Sequence, residues 1–131
     1  VLPKEHRLTS SRDHRATMRH GSRAGGEGLM VSVLLRAEGP GAGGPSWRCG
    51  LVVSKAVGNA VVRHRVQRRL RHIVMDLMRH EALETDPGHT LDLVIRAFPE
   101  ITSMDHAQLR EEVLRAAARA HRKSLRRAVR T

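Results

Sequence analysis

The period of the apolar positions changes along this chain, and the changes mark out its elements. Leu29, Val31, Val33 and Leu35 fall on one side of an extended segment, with Met30, Ser32, Leu34 and Arg36 on the other. This alternation predicts a strand over 29–36, and because neither side is fully polar, both are expected to be covered. A second strand is predicted over 47–55, centred on Leu51-Val52-Val53. The period then lengthens: Val62, Val66, Leu70, Ile73 and Leu77 recur at steps of four, four, three and four, the apolar stripe of an amphipathic helix. Gly58-Asn59 precedes that helix, and Asn59 is placed to cap it. A third strand is predicted over 90–98, with Leu91, Leu93, Ile95 and Ala97 on one face and Pro99 ending it. A last helix over 104–127 follows the start signal Thr102-x-x-Asp105 and turns Leu109, Val113, Ala116, Ala117 and Ala120 inward.

The flanking segments carry weaker patterns. Ser10-Ser11-Arg12-Asp13 has the Ser-x-x-acid spacing of a helix start, so a short helix is predicted over 11–20, with Gly21 ending it. Such a helix is too short to be stable alone, and the face holding His14 and Met18 must dock. Residues 1–8 read as a flexible arm, 128–131 as a frayed tail, and 21–28 as a Gly-rich loop. The Gly/Pro stretch 39–45 reads as a hairpin connection between the first two strands, and 84–89 as a turn. No repeat or linker divides the 131 residues, so 1–131 is expected to form a single domain.

Charge then changes the picture. The formal net charge is +11, and only Lys4, Lys55 and Lys123 of the 24 basic residues are lysines. Such a field favours a polyanion, with nucleic acid the first candidate and a membrane surface the competing one. Arginine binds phosphate through a bidentate fork, which suits RNA, although genomic base composition can produce the same bias. The charge is also localised. Arg63, Arg65, Arg68, Arg69 and Arg71 lie within nine residues of the central helix, and no Asp or Glu occurs between Glu38 and Asp76. Arg65, Arg68, Arg69 and His72 project opposite the apolar stripe, flanked by His64 and Arg71, while Arg63 lies nearer the stripe's edge. A solvated helix face is the plain alternative, but solvated faces usually mix signs.

Other chemistries find little support. The nine histidines are scattered: His64, His72 and His80 are eight apart, which turns each about 80° from the last on a helix. No His-Glu-x-x-His or paired cysteine exists, so no protein metal site is expected. Cys49, the only cysteine, fits a buried structural thiol in a reducing, cytoplasmic setting. No Gly-x-Ser-x-Gly occurs, no protein catalytic residue is proposed, and no apolar run approaches a membrane span. With Trp47 and Phe98 the only aromatics, an aromatic base-stacking sheet is not expected.

The stretch from Val53-Ser54-Lys55 through Gly58-Asn59-Ala60-Val61 and Arg63-His64-Arg65 to Arg68-Arg69 and Arg71 resembles, without gaps, the signature of the bacterial ribonuclease P protein component. Arg7-Leu8, Ser11-x-Asp13, His20-Gly21 and Ile95-Arg96-Ala97 resemble the same family. The resemblance implies an α/β (α+β) two-layer sandwich: a small mixed sheet in helix–strands–helix–strand–helix order, with a left-handed βαβ crossover. It implies a non-catalytic protein subunit that joins a catalytic RNA and promotes removal of the 5′ leader from precursor tRNA. Mg²⁺ would be held mainly by RNA and substrate, and no obligate protein partner is implied. Carried over by position, Lys55, Asn59, Arg63, His64, Arg65, Arg68 and Arg71 would bind RNA, with Arg69 joining them from the helix face. His64 stands where the family usually has Asn, and Gln67 where a Lys or Arg is common. A leader cleft is implied at His14, Met18 and Ser32, positions where the family often has aromatics. Leader binding should therefore lean on phosphate contacts more than on stacking. The alternative function is a non-enzymatic RNA- or ribosome-binding structural protein.

Overall fold

The computed structural model describes residues 2–37, 46–80, 83 and 88–130 of the chain. Three helices and four strands follow in the order α1 (Ser11–His20), β1 (Ser22–Gly25), β2 (Leu29–Ala37), β3 (Trp47–Val52), α2 (Ala60–Arg79), β4 (His89–Ala97) and α3 (His106–Arg130), with single 3₁₀ turns at Lys4–His6, Lys55–Val57 and Pro99–Ser103.

Local chemistry sets the helix starts. Ser10 accepts a hydrogen bond from the Asp13 amide, and Asn59 accepts one from the Val62 amide at 3.0 Å. Asp105 and Gln108 cap α3 reciprocally, each side chain taking the other's amide at 2.8 and 2.9 Å. The last helix therefore starts at His106, on the Asp105–Gln108 pair and not on Thr102, whose hydroxyl donates to Pro99 instead.

The sheet order is β1-β2-β4-β3. β4 pairs antiparallel with β2 and parallel with β3, so β3–α2–β4 is the βαβ crossover that the resemblance implies. This corrects the hairpin expected between the first two predicted strands: β4 lies between them, and 38–45 fall outside the described residues. The reason is burial. Every residue of β4 from Thr90 to Ile95 is buried, and a strand covered on both faces belongs at the centre of a sheet. The tight hairpin comes earlier, between β1 and β2, where the Gly26 amide donates to Leu29. β1 replaces the loop predicted over 21–28; with Ala24 its only buried apolar side chain, it left almost no periodic signal.

One face of the sheet presents Leu29, Val31 and Val33 of β2, Leu91, Leu93, Ile95 and Ala97 of β4, and Trp47 and Cys49 of β3. Val66, Leu70, Ile73 and Leu77 of α2, with Leu109, Val113, Ala116, Ala117 and Ala120 of α3, complete that core. Arg110 ties the two helices by donating twice to Asp76, which holds the Asp76 carboxyl below its usual range. α1 lies across the other sheet face, where Thr17, Ser32 and Val94 are all buried.

The arm is docked: Leu2 and Leu8 are buried, the Leu8 amide donates to Cys49 at 3.0 Å, and His6 stacks on Trp47 with ring centroids 3.9 Å apart. It runs beside β3, an edge strand whose free backbone groups favour a partner. At the other end α3 spans His106–Arg130, and Lys123 and Arg127 fasten it to the backbone of Arg23 and His20.

Two outcomes follow. Leu8→Ala should lower the unfolding free energy in urea by about 2–3 kcal/mol, as for a buried leucine; a loss below about 0.5 kcal/mol would mean the arm adds nothing. Cys49, whose thiol pKa burial pushes up to about 12 against the opposing charge of Arg71, should resist iodoacetamide at pH near 8 until the protein is unfolded. Native labelling as fast as in urea would contradict that burial.

Candidate RNA interface

The stripe that buries α2 decides which motif side chains remain outside. Val66, Leu70, Ile73 and Leu77 point into the core, so His64, Arg65 and Arg68 emerge on the exposed side, around a shallow surface that includes Ala60 and Val61. Lys55, on the preceding 3₁₀ turn, is exposed as well. Gly58 permits this tight entry: a Cβ there would lie 2.9 Å from Val62 Cγ1. Asn59 is exposed, but its side-chain oxygen is occupied as the cap of α2.

The other predicted arginines have different surroundings. Arg69 is half-buried and donates to the Met104 carbonyl at 2.9 Å, bracing α2 against the turn before α3. Arg63 is half-buried, with its Nε enclosed and without a hydrogen-bond partner among the described residues. Arg71 turns toward β3. Among the described residues no carboxylate pairs with any arginine between 63 and 71.

Arg71 opens onto a cleft of about 450 Å³ lined by Leu8, His14, Gly50, Leu51 and Gln67 among others. Three elements meet there: α1 through His14, the β3 edge through Gly50, and α2 through Gln67 and Arg71. Gly50 is essential to the shape, because the His14 ring occupies the space its side chain would fill. The ring also donates to the Leu8 carbonyl, which fixes it inside the cleft. The structure thus brings His14 together with part of the α2 motif. Met18 follows one turn later on α1 and is half-buried. Ser32 is only 3% exposed and lies beneath α1 on the sheet, so it offers no open surface. The open part of that sheet face is one row further on, where Met30, Arg96 and Val52 are register partners and Arg96 sits 5.7 Å over Phe98.

Sequence reasoning missed two contributors. Gly50 carried no motif, and only its register opposite Val94 places it under α1. The second is an ion cluster on the same face. Asp92, 1% exposed, takes two bonds from Arg48 at 2.9 and 2.7 Å and one from Arg36 at 3.3 Å, while Arg48 also reaches Asp13 of α1 at 3.5 Å. The Asp92 carboxylate, ahead of the opposing effect of burial, raises the Arg48 pKa further above its ordinary value. Alternation placed Asp92 opposite the apolar face of its strand, but the partners come from three other elements and share no local pattern.

Comparison with known proteins bears on the family and the fold. A family model described as Ribonuclease P matches residues 2–121. The ribonuclease P protein component of Corynebacterium diphtheriae is 40% identical over 126 residues, spanning 94% of this chain and 99% of the relative. That of Rhodococcus opacus is 46% identical over 119 residues, 88% of each chain. The fold matches the RNase P protein of Staphylococcus aureus with a TM-score of 0.67 at 18% identity, covering 88% of this chain and 97% of that one. It matches the RNase P protein of Thermotoga maritima with a TM-score of 0.62 at 24% identity, covering 83% and 92%. On the family model and the sequence relatives together, this chain belongs to the ribonuclease P protein component family.

Proposed function

We propose that this chain, the protein component of the ribonuclease P endoribonuclease, binds the catalytic RNA through the exposed face of α2 and admits the 5′ leader of precursor tRNA to the cleft beside it. The observation that carries this is the cleft itself: His14, Gly50, Gln67 and Arg71 line one recess, and the arginines of the same helix have no acidic partner among the described residues. Guanidinium groups grip phosphate oxygens in pairs, so the face tracks backbone and leaves cleavage to the RNA. With His14 tied to Leu8 and Ser32 covered, the cleft has little aromatic surface, and its leader contacts are polar and ionic.

The Mg²⁺ needed for cleavage belongs to the RNA and substrate. The proposed surface offers guanidinium and imidazole groups and no carboxylate, a donor set that attracts phosphate and repels a hard cation. Among the described residues no helix is long and apolar enough to cross a membrane, in keeping with action on RNA in the cytoplasm. A purely structural RNA-binding role is not favoured by the two sequence relatives above, both ribonuclease P protein components.

Reconstitution with a bacterial ribonuclease P RNA at low Mg²⁺ should stimulate 5′ cleavage of precursor tRNA, and absence of stimulation would sink this function. Binding to that RNA should weaken with salt at a log–log slope of roughly −3 to −4, and R65A/R68A should flatten the slope by about 1–2. For the cleft, Arg71→Ala should weaken binding of a precursor with a leader of several nucleotides more than binding of mature tRNA. Equal losses for both would remove the leader from this recess.

A further inference from the structure

A second basic surface lies at the opposite edge of the sheet. α3 carries no acidic residue after Glu112, and Arg119, Arg122, Lys123 and Arg126 recur at helical spacing on its exposed side. Ala117, Ala120, His121 and Ser124 are buried opposite them. Two bonds set this half of the helix against α1 and β1: Lys123 donates to the Arg23 carbonyl at 2.7 Å, and Arg127 donates to the His20 carbonyl at 3.0 Å. Exposed Arg19, His20 and Arg23 thereby join the same side of the molecule. β1 carries no acid, and the one acidic residue of α1, Asp13, is engaged with Arg48.

The first half of α3 supplies the contrast. There Arg115 is neutralised by Glu111 at 3.2 Å and Glu112 at 3.7 Å, the mixed pattern of a solvated helix face. Favourable interaction with the helix dipole accounts for cations in the last turn only. The stripe from Arg119 to Arg126 reaches about 10 Å back along the axis, beyond that turn. In the strand order β1-β2-β4-β3 it lies on the far side from α2 and β3, with the edge strands separated by roughly 14 Å of sheet. The arginine face of α2 and this one therefore meet different parts of a partner.

We propose that Arg19, Arg23, Arg119, Arg122 and Arg126 form a second phosphate-docking surface, gripping a segment of RNA backbone separate from the segment held by α2. The inference rests on the chain's role as an RNA-binding subunit. The surface has no Phe, Tyr or Trp to stack a base, so it reads mainly backbone position and shape.

The test uses the whole protein and a bacterial ribonuclease P RNA transcribed in vitro. The salt dependence of Kd is compared for the parent, R65A/R68A, R119A/R122A/R126A and R119K/R122K/R126K, with circular-dichroism melts showing that each is folded. The alanine triple should flatten the log–log slope by about 2, and the lysine triple should keep the parent slope. If the alanine triple binds like the parent while R65A/R68A does not, the second surface is overturned and the proposed function stands. If neither variant differs from the parent, both fail. A second readout locates the contact: an aryl-azide crosslinker is placed on R122C or on R65C, with buried Cys49 left unlabelled. Crosslinks from the two positions should fall on different RNA segments; no crosslink from R122C, or the same nucleotides from both, overturns the proposal.

Discussion

The burial of one side of α2 is the constraint on which the remainder depends. Val66, Leu70, Ile73 and Leu77 are each under 5% exposed. Burying four such side chains is worth roughly 6–12 kcal/mol at about 1.5–3 kcal/mol each, which rivals the whole stability of a small domain, about 5–15 kcal/mol. Opposing it are like-charge neighbours one turn apart, such as Arg65 with Arg68 and Arg69, at a few tenths of a kcal/mol per pair. Packing wins by an order of magnitude. The rotation of α2 is set by its apolar stripe, and the repulsion among its arginines remains as a small, permanent bias toward a polyanion.

The far face of the sheet obeys a different logic. Its centre is polar: Asp92 sits buried under α1 with Arg48 and Arg36 around it, and Arg48 extends to Asp13. A buried ion cluster adds little net stability because desolvation offsets the Coulomb gain, yet breaking it by removing one partner costs about 3–5 kcal/mol. Its effect is orientation. Arg48 of β3 reaches both β4 and α1, and Gly50, two residues on in the same strand, leaves the space that His14 fills. Together they hold α1 at one height over the sheet, and that height shapes the cleft shared with Gln67 and Arg71.

Much of this was legible in the chain because helices write their packing locally. α1 and α2 occupy the spans their caps and stripes indicated, and the inward residues of α3 are those its spacing named. Strand order was not legible. Nothing local to β2, β3 or β4 says that β4 inserts between the others, since that depends on which strand needs both faces covered. The docking of the arm and the anchoring of the last helix were not legible for a related reason. Leu2 and Leu8 are too few to make a period, and Lys123 and Arg127 look like solvated charges until Arg23 and His20 are brought beneath them. At the site, the motif could not separate Arg65 and Arg68, which are exposed, from Arg69, which the Met104 carbonyl holds as a brace.

The placement of acidic residues completes the electrostatic picture. Asp76, Glu111, Glu112, Asp92 and Asp13 each sit beside a guanidinium that packs one element on another or stiffens a helix: Arg110, Arg115 and Arg48. These five carboxylates serve where cations have structural work, and the first half of α2 and the second half of α3 carry arginines with no acidic residue in the same stretch. Those halves stand at opposite edges of the sheet. A fold that only needed solubility could scatter the same charge at lower repulsive cost. Concentrating it in two places raises the local potential where phosphate is to be met, and the Debye length of about 8 Å at physiological salt keeps the two fields largely independent.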